Sequence, residues 1–134
     1  MNSKKNTEPT APREPATIFV ADDEAMVVTL VDAILTPAGY RLKLFRDPEM
    51  AHKALLDAKQ PPALLISDYA MGSLNGLELI KRCKQAYPSL KTILISGTVD
   101  EAFTRMHTVK PDKFLGKPFQ SKALLEAVRS LLGR

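Results

Sequence analysis

The sequence predicts an α/β fold of the (βα)5 kind, a three-layer sandwich around a five-stranded parallel sheet. Two observations carry this. Five short apolar runs, ATIFVA, RLKLF, ALLIS, TILIS and KFLGK, suit strands buried on both faces. Each is followed by a longer stretch with helical spacing, and a strand–helix–strand alternation implies parallel pairing with right-handed crossovers and helices on both sides of the sheet.

After the first run, Val27, Leu30, Val31, Ile34 and Leu35 fall on one helical face that ends before Pro37 and Gly39, which predicts a core-facing first helix. Ala51, Ala54, Leu55 and Ala58 repeat the spacing weakly after the second run. Leu77 and Ile80 mark a third helix, and Ala102, Phe103, Met106 and Val109 a fourth. The last is the strongest, with Leu124, Leu125, Val128, Leu131 and Leu132 on one face.

A chain of 134 residues has room for one domain with one core. Residues 1–16, MNSKKNTEPTAPREPA, contain three of the ten prolines and no large apolar side chain after Met1, so they are expected to form a disordered tail ahead of a domain spanning 17–134. Neither a secretory signal nor a membrane span is present in the sequence, and the expected location is cytoplasmic, with no membrane partner. Cys83 is the only cysteine, which rules out an internal disulfide and leaves a buried or half-buried thiol on a helix. The net charge of +4 comes from interspersed acidic and basic residues without an aromatic–basic motif, which argues against nucleic acid.

Ligands of open parallel sheets bind beyond the carboxyl ends of the strands, so the residues that follow each apolar run decide the chemistry. The first run ends in Asp22 and Asp23, the third in Asp68, the fourth in Ser96 and the fifth in Lys117, whereas the second ends in nothing comparable. Singly, each has a structural explanation: the acidic pair and Ser96 as helix caps, Asp68 as a turn residue, Lys117 as a solvated charge. Together they are more specific. Three carboxylates in one crevice need a cation to stay ionised, and an oxygen-only donor set selects a hard ion such as Mg²⁺. A lysine ammonium and a serine hydroxyl opposite them suit the oxygens of a transferring phosphoryl group, with a carboxylate as the nucleophile.

In this order the motifs FVADDE, LISDYAMGSLNG, ILISGT and FLGKPF resemble the bacterial two-component response-regulator receiver family, from Ala16 to the end of the chain. Gly76 stands eight residues after the matching acceptor aspartate, and Lys117-Pro118 follows the fifth run. The resemblance implies a flavodoxin-like sandwich with sheet order 2-1-3-4-5 and a phosphoacceptor role for Asp68. It implies Mg²⁺, with Mn²⁺ as a substitute, held by Asp23, Asp68 and the Ala70 backbone carbonyl, with Asp22 acting through water. Lys117, Ser96 and Gly97 would bind the phosphoryl group, and Ser96 and Phe114 would form the switch.

The implied donor is a sensor histidine kinase or a histidine phosphotransfer protein. The implied output is a protein docked on the face of helix four, strand five and helix five, with the chain a monomer or a phosphorylation-dependent dimer. That segment carries Arg105, Lys110, Lys113, Lys122 and Arg129, which fit either an acidic partner or ordinary solvation. Two departures from the family pattern matter. Gly72 replaces a usual proline and should loosen the loop bearing Ala70. Ala70 has no side-chain amide or carboxylate to orient water, which points to slow self-dephosphorylation. His52 and His107 lack companion ligands and are expected to serve packing or surface roles. Two other readings use the same residues: a docking module controlled by partner contact, and a small aspartyl-phosphate phosphohydrolase. The second lacks any substantial segment for a substrate pocket, so an enzyme turning over a free metabolite is not expected.

Overall fold

The computed structural model describes residues 14–134. Five strands, β1 (Thr17–Ala21), β2 (Arg41–Phe45), β3 (Leu64–Asp68), β4 (Lys91–Ser96) and β5 (Lys113–Gly116), alternate with five helices, α1 (Ala25–Leu35), α2 (Pro48–Asp57), α3 (Gly76–Ala86), α4 (Glu101–Arg105) and α5 (Ser121–Leu132). All pairings are parallel and the sheet order is β2-β1-β3-β4-β5, the predicted architecture.

Side-chain parity along the central strands builds two cores. Ile18, Val20, Leu64, Ile66, Ile93 and Ile95 face one side, where Val31 and Leu35 of α1 and Leu124 and Val128 of α5 cover them. Phe19, Ala21, Leu65 and Leu94 face the other, against Ala51 and Leu55 of α2 and Leu77, Ile80 and Cys83 of α3. Every residue of β3 is buried, as a central strand covered on both faces requires. The edge strands β2 and β5 are partly open.

Four sequence expectations need adjustment. On α1 the buried residues are Val28, Val31 and Leu35, while Leu30 is 44% exposed. Apolar residues ring this helix, so its spacing alone could not choose the face. Helix α4 stops at Arg105, with Met106 at its C-cap and 83% exposed; the apolar period runs on past the helix that suggested it. β5 ends at Gly116, one residue short of the run, whereas Asp68 closes β3 as expected. Ala16, assigned to the tail, is buried, and its carbonyl accepts a hydrogen bond from the Arg41 N–H. Of the rest of the tail, Glu14 and Pro15 are exposed, and residues 1–13 lie outside the described part of the chain. Cys83 is buried, and burial pushes its thiol up to about 12, which makes it inert at neutral pH. Among the described residues no helix is long and apolar enough to cross a membrane.

Candidate phosphoacceptor site

Sheet register assembles the site. β1 and β3 pair Ile18 with Leu64, Val20 with Ile66 and Ala21 with Ser67, so one further step sets Asp22 beside Asp68. β3 and β4 pair Asp68 with Ile95, and β4 and β5 pair Ser96 with Gly116, which delivers Ser96 and Lys117 to the same end of the sheet. The Lys117 N–H donates to the Ser96 carbonyl at 2.8 Å and fixes that neighbour.

At the centre is the Lys117 ammonium. Its Nζ lies 2.9 Å from Glu24 Oε1, 3.1 Å from Asp68 Oδ1 and 3.3 Å from Asp22 Oδ2. Asp22 and Asp68 are 2% and 5% exposed. One ammonium cannot neutralise three carboxylates. Burial holds Asp22 above the usual carboxylate range despite the Glu24 backbone N–H and Lys117, and burial with the neighbouring charge of Asp22 does the same to Asp68. Burial alone would lower Lys117, but hydrogen bonds to Glu24 and Asp68, with the charges of Asp22 and Asp68, raise it strongly. The carboxylates of Asp22, Glu24 and Asp68 each bring one oxygen within 4.8 Å of the others. This electron-rich, oxygen-only set with surplus negative charge fits a hard divalent cation.

A crevice of about 370 Å³ opens beside the cluster. Asp23, Glu24, Asp68 and Ala70 line it together with Gly97, Thr98 and Lys117. Asp23 thus reaches the crevice but stands outside the three-carboxylate group, where the structure puts Glu24 instead. The surroundings add two details to the sequence reading. Ser96, 2% exposed, neither lines the crevice nor caps α4. Its Oγ accepts hydrogen bonds from the Thr98 N–H at 3.0 Å and the Val99 N–H at 2.9 Å, while the helix is capped by Asp100. The end of β2 is also not idle, since Arg46 Nε donates to the Asp23 carbonyl at 2.9 Å and ties down the acidic loop. Phe114 is half-buried against the core shared with α2 and α3.

Glu24, Thr98 and Arg46 escaped the sequence reading. Thr98 could have been found as a second hydroxyl two residues beyond Ser96. Glu24 adjoins the acidic pair, but its contact with Lys117 spans 93 positions and has no local signature.

A family model described as the response regulator receiver domain matches residues 18–129. The chain belongs to this family. Receiver domains are the phosphoacceptor modules of two-component systems, which is the role of this one. It is 31% identical over 116 residues to the response regulator receiver protein CpdR of Brucella abortus, covering 86% of this chain and 94% of that protein. It is 27% identical to the phosphate regulon transcriptional regulatory protein PhoB of Pseudomonas aeruginosa, covering 88% of this chain, and spans only 52% of that protein's length. The receiver domain of an HD domain-containing protein from Pseudomonas fluorescens superposes with a TM-score of 0.82 at 25% identity, over 95% of this chain and 93% of that one. A CheY-like receiver domain from Methanospirillum hungatei shares the fold with a TM-score of 0.80 at 20% identity, over 89% of this chain and 94% of that one.

Proposed function

We propose that Asp68 is the phosphoacceptor of this receiver domain. The observation that carries the reading is the Lys117 ammonium 3.1 Å from Asp68 Oδ1, at the mouth of a crevice lined by oxygen donors. In the transfer, a carboxylate oxygen of Asp68 attacks phosphorus. The bond from phosphorus to the donor's imidazole nitrogen, or to the acetate oxygen of acetyl phosphate, breaks, and the leaving group keeps the electron pair. Lys117 holds one phosphoryl oxygen, and Gly97, which lines the crevice, would offer its backbone N–H to another. Asp22, Asp23 and Asp68, with the Ala70 carbonyl, would hold Mg²⁺, and the carboxylate of Glu24 adds to their field. When bound, the ion supplies positive charge against the phosphoryl oxygens.

The donor on this reading is a sensor histidine kinase or phosphotransfer protein, and the site acts in the cytoplasm where such donors are charged. The chain carries one phosphoryl group per molecule and does not turn over a free metabolite. Ser96 and Phe114 form the switch: the hydroxyl leaves the Thr98 and Val99 N–H groups for the phosphoryl group, and Phe114 follows inward. The output is protein docking on α4, β5 and α5, where Lys113, Lys122 and Arg129 are exposed.

Incubation with acetyl phosphate and Mg²⁺, followed by intact mass, tests the reading. One phosphoryl group is expected on the wild type and none on Asp68→Asn. An unmodified wild type, or a modified variant, would overturn it.

A further inference from the structure

The Lys117 ammonium donates hydrogen bonds to Glu24 and Asp22 and pairs with Asp68 at 3.1 Å, so three carboxylates crowd the cation that an arriving phosphoryl oxygen must reach. One partner must leave. Asp22 is buried, and its other oxygen already accepts the Glu24 backbone N–H at 2.9 Å, which pins the side chain. Asp68 is held in the central strand and is the group being modified. Glu24 differs from both. It sits at the start of α1, its side chain is 63% exposed, and its carboxylate gains solvent on release.

We infer that Glu24 is the exchangeable counterion of Lys117: its carboxylate occupies the place that a phosphoryl oxygen must take, and its release is the step that opens the site. This rests on Asp68 and Lys117 acting as proposed above. Glu24 is therefore a positioning residue, acting on phosphorylation through Lys117. Its effect has a definite sign, since holding the ammonium in reserve weakens binding of any phosphoryl-like group.

Beryllium trifluoride with the full chain is the probe, titrated calorimetrically at an Mg²⁺ concentration shown to saturate each variant by its melting temperature. Glu24→Gln keeps the size and removes the charge. Because an exposed ion pair is worth about 0.2–1 kcal/mol, its affinity for the probe should rise about 1.5- to 5-fold. Glu24→Asp keeps the charge but is one methylene too short to hold Lys117, and it should rise with Glu24→Gln. Affinity that is unchanged or weaker in Glu24→Gln overturns the inference. So does a Glu24→Asp that matches the wild type, because the effect would then be one of overall charge rather than of contact. A wild type that binds no probe would instead count against the site itself.

Discussion

Asp68 is a residue whose environment disfavours its own charge until something cationic arrives. Its carboxyl is raised from 3.8 by burial and by Asp22, with Lys117 opposing. A raised acid binds its proton more readily in the folded than in the unfolded chain, so ionisation at neutral pH costs stability. Without metal, Asp68→Asn is therefore expected to melt above the wild type at neutral pH. The gap should narrow as pH falls through the raised folded value and vanish below 3.8, as thermal melts across that range would reveal. A constant gap would point to lost packing instead. At Ala70, exposed at the crevice wall, Ala70→Asn supplies an amide that can orient water and should shorten the acyl-phosphate lifetime by about tenfold, a change of roughly 1.4 kcal/mol in the barrier. Phosphoprotein decay followed by intact mass measures it.

At the scale of elements, the junction of β3 and α3 is the tightest part of the frame. Gly76 opens α3, and its N–H donates to the Tyr69 carbonyl at 2.8 Å. A Cβ there would collide with the Asp68 carbonyl oxygen and meet Leu94 Cδ1 at 2.7 Å. Gly76→Ala is thus expected to cost about 1–3 kcal/mol in denaturant unfolding and to displace Asp68. The spacing of eight residues between Asp68 and Gly76, visible in the sequence, has this contact as its cause. Elements were legible where an apolar period met a clear stop, as in α5. They were less so in α1, where Val28 rather than Leu30 turns inward, and in α4, where Met106 continues the pattern beyond the helix. Strand-end residues could be assigned to the site because parallel register aligns strand ends. Glu24 and Arg46 could not, since a side chain reaching across from the next loop depends on rotamer and loop path.

For the whole molecule, a cation that binds only the folded state must raise its stability. At a hundredfold excess over Kd, Mg²⁺ should add about 2.7 kcal/mol to unfolding and raise the melting temperature. Asp68→Asn should lose most of that gain, and scanning calorimetry with and without the ion decides it. A response equal in both proteins would place the ion elsewhere.

The two N–H groups on the Ser96 hydroxyl bear on how quiet an unphosphorylated molecule stays. At about 1 kcal/mol net for each such bond, and with the Thr98 hydroxyl 3.2 Å away adding to them, the hydroxyl's departure without phosphate is unfavourable by at least about 2 kcal/mol, and at most roughly three molecules in a hundred stand in the active form unprompted. The background signal of a cell holding many copies of this chain would then be set by the short loop that holds one hydroxyl, and a mutation at Val99, which does not line the crevice, would change the noise of the pathway without touching the chemistry of its input.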